Sequence, residues 1–112
     1  MTLEDIITKL DLTVLTASQN FGTITPDGGY VSDLLSCVVA GAQPGNLWIT
    51  LQAHMNVVAV ASLREVSAVI ITENAQPDAA VIEKANQQEV VLLSTKEPSY
   101  QVVGKLWEMG IR

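Results

Sequence analysis

The chain has 112 residues, of which 48% are hydrophobic and only 16% are charged, and its formal net charge is −6. A chain of this length predicts a single domain, residues 1–112, that buries roughly two-thirds of its unfolded surface. The negative charge repels phosphodiester backbones and anionic lipid headgroups, so we expect neither nucleic acid nor a membrane as a partner. With so few charges, part of the surface is expected to be an apolar interface.

The cellular compartment and the metal content follow from a few residues. Cys37 is the only cysteine, and no Cys/His cluster has the spacing of a zinc site. Glu4 and Asp5 stand where a signal peptide would carry positive charge, and no apolar run approaches the length of a membrane span. We therefore expect a cytoplasmic protein without a metal ion or other cofactor.

The first third of the chain predicts two helices and one strand. Thr2 and Asp5 have capping-box spacing before a short amphipathic helix, and residues 12–16 read as a strand. Residues 17–29 read as a loop with room for a short strand at 22–25. A second helix is predicted from Tyr30, with Gly28-Gly29 at its entrance and Cys37 in the core.

The middle of the chain predicts a right-handed βαβ unit. Leu47–Gln52 is rich in β-branched and aromatic residues, and Ala68–Thr72 is continuously apolar, so both favour strands. The segment between them is long enough for a crossover helix, which Asn56 is expected to cap. A strand apolar on both faces needs helices above and below it.

Strands and helices alternate to the end of the chain. Asp78 is a helix-cap candidate, Val90–Ser94 reads as a strand, and Pro98-Ser99 opens a last helix whose inward stripe includes Trp107. The predicted fold class is α/β, a layered helix/sheet/helix domain with a mostly parallel sheet of about four to five strands.

A ligand is expected at the carboxyl ends of the strands, where open α/β sheets bind their ligands. The polar residues at these ends, with the paired glycines, form the predicted ligand-binding set: Gly28, Gly29, Thr50, Gln52, His54, Asn56, Thr72, Glu73, Ser94 and Thr95. The alternative is that the polar residues only cap and turn the chain, and that the glycines only supply a turn with positive φ.

Catalysis is not predicted. His54 is the only histidine, and the sequence places no acid or nucleophile beside it. An enzyme that uses His54 and the polar strand ends remains the alternative function.

The valine-rich helix after Asn56 is apolar almost all round, which predicts burial on more than one side. A second subunit would explain this, and the predicted homodimer interface is Trp48, Val57, Val58, Val60 and Ala61. The alternative is that the N-terminal helix and the loop 17–29 cover the valine-rich helix.

Three segments resemble the DRTGG-domain family: GGYVSDLLS (28–36), NLWITLQAHMNVVAVASL (46–63) and VVGKLWEMGI (102–111). The naming motif is incomplete, because residues 25–29 read TPDGG and lack its arginine. The resemblance implies a fold similar to the N-terminal domain of HPr kinase/phosphorylase. It also implies a non-catalytic module, since such domains accompany phosphotransacetylases and CBS-domain pyrophosphatases as regulatory or dimer-forming parts.

The favoured hypothesis is therefore a regulatory or ligand-sensing module that acts as a homodimer and controls a partner enzyme. Its small-molecule ligand would be a nucleotide or a phosphorylated metabolite. A third hypothesis is an interaction partner for an enzyme, with no small ligand at all.

Overall fold

The structure, a computed structural model, describes residues 1–112 as five α-helices and a five-stranded sheet. The helices are α1 (Leu3–Leu10), α2 (Leu35–Gly41), α3 (Met55–Arg64), α4 (Ala79–Gln87) and α5 (Ser99–Glu108). The strands are β1 (Thr13–Val14), β2 (Gly29–Val31), β3 (Leu47–Thr50), β4 (Ala68–Ile71) and β5 (Leu92–Ser94). No helix has the length and apolar composition needed to cross a membrane.

The strand order in the sheet is β1-β5-β4-β3-β2. Strands β2 to β5 are parallel, and only β1 is antiparallel to its neighbour β5. In the centre, Leu47 lies beside Ala68 and Thr50 beside Ile71, and every residue of β3 and β4 is buried. The predicted α/β class and the mostly parallel sheet are confirmed.

Alternate residues of a strand point to opposite sides of the sheet. Because the strand residues are apolar on both sides, helices cover both faces. On one face, Leu3 and Ile6 of α1 and Leu106 of α5 pack over Ile49 and Ile70. On the other face, α2, α3 and α4 cover Trp48 and its neighbours. The buried helix residues of that second face are Val38, Val57, Val58, Ala61, Val81 and Ala85.

The helix predicted from Tyr30 is wrong in its first five residues. Gly29–Val31 is instead a strand at the edge of the sheet, and α2 begins at Leu35. Tyr30 pairs with Trp48 in β3, and its hydroxyl donates to the Cys37 carbonyl at 3.1 Å. Val31 and Leu34 have helical spacing with Val38, yet both are exposed, so the apolar periodicity here does not mark one buried stripe.

Other differences from the predictions are local. Phe21–Thr23 forms a 3₁₀ turn where a short strand was predicted, because the Asn20 side chain accepts the Gly22 N–H. Each of the four predicted strands is shorter in the structure. Cys37 is exposed, and Trp107 is exposed rather than inward, because both side chains lie outside the two core layers.

Two predicted caps are confirmed. Thr2 and Asp5 form the capping box of α1, and the Asp78 carboxylate accepts the Val81 N–H at 3.0 Å at the start of α4. A capping interaction satisfies one of the free N–H groups of a helix's first turn. These short helices therefore begin where the sequence indicates.

Candidate functional site

The carboxyl ends of β3, β4 and β5, with the loops that follow them, form one rim of the sheet. The loop after β2 reaches the same rim. The term carboxyl rim is used below for residues 32–34, 50–56, 72–74 and 94–99. It is the expected ligand position in an open α/β sheet.

Asp33 joins the loops that follow β2 and β3. Its Oδ1 accepts the Thr50 hydroxyl at 2.8 Å and the Leu51 N–H at 2.8 Å. The Gln52 N–H donates to Thr50 Oγ1 at 3.0 Å, and the Gln52 amide donates to the Asp33 carbonyl at 3.3 Å. Thr50 is fully buried, so its side chain holds the rim together and is not free for a ligand.

A second cluster joins β4 to α5. Thr72 is fully buried, and its hydroxyl lies 3.3 Å from the Thr50 carbonyl and 2.6 Å from the Ser99 hydroxyl. The Glu73 carboxylate accepts the Ser99 N–H at 2.9 Å. The N-cap residue of α5, Pro98, makes no side-chain cap, so Glu73 supplies the anion that the first turn of the helix favours.

Two consecutive residues of this loop have left-handed backbone conformations. Glu73 has φ 60° and Asn74 has φ 59°. The Glu73 N–H donates to the Glu97 carbonyl at 3.0 Å, and the Asn74 N–H donates to the Thr95 carbonyl at 3.1 Å. Such conformations cost roughly 1–3 kcal/mol each for residues with a Cβ, so these bonds hold the loop in a strained shape.

The N-terminus of α3 is the open part of the carboxyl rim. His54, not Asn56, is the N-cap residue, and it makes no side-chain cap, while Asn56 lies within the first turn. The predicted capping role of Asn56 is therefore wrong. His54 and Asn56 are exposed and their side chains make no hydrogen bond to the rest of the chain. The rim thus presents free N–H groups, an imidazole and an amide at one place.

The paired glycines lie at the other end of the strands. Gly28 and Gly29 enter β2 at its amino end, whereas the carboxyl rim follows its last residue. Gly28 has φ 71°, so the turn with positive φ is confirmed, but it precedes a strand and not a helix. Its place is also tight, since a Cβ would lie 3.3 Å from both the Arg112 carbonyl and the Asn46 side chain. The structure does not bring these glycines to the other candidates.

Ser94 and Thr95 belong to the β1 side of the sheet. Ser94 is buried and pairs with Thr13, and both line a shallow polar cleft with Thr95 and Lys96. The Thr95 hydroxyl accepts the Glu97 N–H at 3.2 Å. Strand β4 separates this cleft from the end of β3.

The predicted dimer residues are mostly covered by the chain itself. Trp48 is fully buried, and Val57, Val58 and Ala61 are each 1% exposed, so none offers its side chain to another subunit. Only Val60 is half-buried. The helices that cover α3 are α2 and α4, and not the N-terminal helix with the loop 17–29.

Comparison with known proteins identifies the family. The model of the DRTGG domain matches residues 30–109, from Tyr30 in β2 to Met109 after α5. The chain belongs to the DRTGG family. The match begins directly after Gly28-Gly29, so the matched DRTGG domain does not include the part of the chain where the naming motif is incomplete.

The fold of this DRTGG domain is similar to that of a solved regulatory region. It contains the CBS and DRTGG domains of the regulatory region of Clostridium perfringens pyrophosphatase, complexed with the activator diadenosine tetraphosphate. The TM-score is 0.76 at 17% sequence identity, over 92% of this chain. This chain spans 44% of that one, so the likeness shows the fold of one part of it. A comparison with curated proteins gave no match.

Two residues that organise this DRTGG domain's rim were missed in the sequence. Asp33 and Ser99 connect loops that are far apart in the chain, through Thr50 and Thr72. Asp33 carried no signal because it lay inside a predicted helix, and the signal of Ser99 was only a hydroxyl at the start of a helix. No group of three or more His, Cys, Asp and Glu side chains is placed to hold a metal ion.

Proposed function

We propose that the chain is a cytoplasmic, non-catalytic regulatory module that senses a small ligand, acts as a homodimer and controls a partner enzyme. The observation that carries the ligand-sensing part is the open N-terminus of α3, which has no side-chain cap beside exposed His54 and Asn56. Membership of the DRTGG family supports the regulatory part, since the related pyrophosphatase region is regulatory and was crystallised with a nucleotide activator.

The chemistry of this site favours an anionic ligand. A helix N-terminus attracts negative charge through its free N–H groups, and phosphate groups bind there. The side chains of His54, Asn56 and Gln52 add hydrogen bonds. A nucleotide or a phosphorylated metabolite fits these groups, while the hydrogen-bonded Asp33 and Thr50 cluster keeps the loop in place beneath it.

A thermal-shift screen with nucleotides, diadenosine tetraphosphate and acyl phosphates tests the ligand. A ligand at a hundredfold excess over its dissociation constant stabilises the folded chain by about 2.7 kcal/mol. The variant Asn56→Asp is expected to abolish the shift, because it places a negative charge at the anion position. Gln87→Ala is the matched control, since Gln87 is also exposed and makes no side-chain hydrogen bond. An equal shift in both variants would contradict the site.

The homodimer is proposed through the outer surfaces of α2 and α3. These packed helices expose large apolar side chains, with Val39 at 39%, Met55 at 42% and Leu63 at 64% exposure. Sedimentation velocity is expected to show a dimer that Leu63→Glu converts to a monomer. A wild-type chain that sediments as a monomer at micromolar concentration would rule out this part of the proposal.

A further inference from the structure

Strand β2 leaves one side of its backbone without a partner. It pairs only with β3, where the Leu47 N–H donates to the Gly28 carbonyl at 3.0 Å and the Ser32 N–H donates to the Ile49 carbonyl at 3.3 Å. Because backbone groups alternate in direction along a strand, those of Gly29 and Val31 point away from β3. An unpaired edge of this kind can pair with a further strand.

An apolar groove lies directly beside this edge. It has a volume of about 130 Å³ and lies between β2 and the end of α5, with Val31, Val103, Trp107 and Ile111 among its lining residues. Val31 is 51% exposed and Trp107 57% exposed. A strand added to β2 would place alternate side chains over this β2 groove, where an aliphatic side chain is shielded from water.

The charges around the edge select the occupant. Exposed Asp27 and Asp33 flank β2 at its two ends. Arg112 is the cation of the groove, and it is already engaged, with its guanidinium 5.2 Å from the Trp107 ring centre and donating to the Trp107 carbonyl at 3.1 Å. In an antiparallel pair of two β2 strands centred on Tyr30, Asp27 of each copy would lie at the same end of the pair as Asp33 of the other. Such like-charge pairs disfavour a second copy and favour a basic segment.

We propose that the edge of β2 and the adjacent groove dock an extended, basic segment of a partner protein. The segment pairs with the backbone of Gly29 and Val31, inserts aliphatic side chains beside Trp107, and places Lys or Arg near Asp27 and Asp33. This inference rests on the proposed control of a partner and names the surface that would contact it. Asp33 is the one residue it shares with the carboxyl rim, where Asp33 Oδ1 accepts from Thr50 and Leu51, and it does not involve the outer surfaces of α2 and α3.

The test uses the full chain and the acetylated, amidated peptide Lys-Thr-Leu-Thr-Leu-Thr-Lys. Trp48 is fully buried and Trp107 is not, so iodide quenches mainly Trp107 fluorescence. The peptide is expected to protect Trp107 saturably, and more weakly at high salt. A peptide with Glu for both Lys, and one with Pro for the central Thr, are expected to give little protection. Titration calorimetry with Trp107→Ala is expected to show an affinity lower by at least about tenfold, as for a central interface aromatic.

The control variant is Gln87→Ala, which shortens an exposed side chain at the end of α4, away from β2, and is expected to bind the peptide like the wild type. No saturable binding, or equal binding of the Lys and Glu peptides, would overturn the proposal. A wild-type dimer that Val31→Pro dissociates would also overturn it, because a second copy would then occupy the edge. Failure here leaves the nucleotide-induced thermal shift unaffected, so the two proposals fail separately.

Discussion

The two tryptophans lie on opposite faces of the sheet, both near its β2 edge, and have different surroundings. Trp48 is fully buried beneath the layer of α2, α3 and α4, and its indole N–H donates to the Ser32 carbonyl at 3.0 Å. Trp107 lies on α5, 57% exposed, at the β2 groove. Three helices cover the first face and two cover the second. Near β2, the face with fewer helices therefore keeps an apolar surface that water can reach.

Strand β2 shows the same contrast within three residues. The Tyr30 side chain packs so closely on α2 that a Cβ added at Gly41 would lie 2.6 Å from its ring. Its neighbours Gly29 and Val31 line the open groove on the other face. One face of the edge strand is thus fixed by packing, and the other is available for binding.

Replacing each tryptophan by alanine should give the largest difference in the free energy of unfolding between the two faces. Trp48→Ala should lower the free energy of unfolding by about 3–5 kcal/mol, because it leaves a large cavity and an unpaired Ser32 carbonyl. Trp107→Ala should lower it by less than about 1 kcal/mol, since more than half of the side chain is already in water. Urea denaturation measures both, and equal losses would contradict the difference between the two faces.

The contact between Tyr30 and α2 predicts the next effect. Alanine in a helix is normally favoured over glycine by about 1 kcal/mol, but Gly41→Ala should destabilise the chain by roughly 1–3 kcal/mol because its methyl group overlaps the Tyr30 ring. The double variant with Tyr30→Leu should recover most of this loss. A stabilising Gly41→Ala would show that the ring moves aside freely.

Gly28 precedes β2 and Gly29 lies within it. Replacing each by alanine distinguishes the cost of a left-handed backbone from the effect of a methyl group in the groove. Gly28→Ala should cost about 1–2 kcal/mol, since its φ of 71° disfavours a Cβ. Gly29→Ala should change stability by less than about 0.5 kcal/mol. The added Cβ would have the Leu47 carbonyl oxygen as its nearest neighbour, at an ordinary contact distance of 3.5 Å. Thermal unfolding of both variants measures the difference, and similar losses would place strain at both positions.

The smallest expected effect is on α1, one of the two helices of the less covered face. The Thr2 N–H, which donates to the Asp5 carboxylate at 3.0 Å, lowers the pKa of Asp5 below 3.8. Because the folded pKa is the lower one, the stabilisation is present above pH 3.8 and is lost as the pH falls through the folded value. The stability difference between the wild type and Asp5→Asn should therefore shrink on acidification. A difference that does not change with pH would exclude a role for this charge.

The centre of the fold was predictable because its strands are apolar on both faces. Ala68–Ile71 and Leu47–Thr50 bury every residue, and a crossover helix between them leaves little choice of arrangement. The edge was not predictable, since β2 has only three residues and its Val31 continues the helical spacing of Leu34 and Val38. Periodicity records which residues are apolar, and not whether a neighbouring element exists to cover them.

The carboxyl rim was predicted in position but not in its internal contacts. Thr50, Thr72 and Glu73 lie where the sequence indicates, yet their hydrogen bonds go to Asp33 and Ser99. These partners are 17 to 27 residues away along the chain, so no local pattern records them. Trp107 was misassigned for a related reason, because helical spacing gives the direction of a side chain but not the width of the sheet beneath it.

Helix α5 runs from the carboxyl rim to the β2 groove. Its first residue, Ser99, is held by Thr72 and Glu73, and its last turn carries Trp107 to the groove about 12 Å away. A rigid rod fixed at one end moves at the other when its anchor shifts. We therefore expect a shift of the Glu73-Asn74 turn, which holds Ser99, to displace Trp107 at the other end of the same helix.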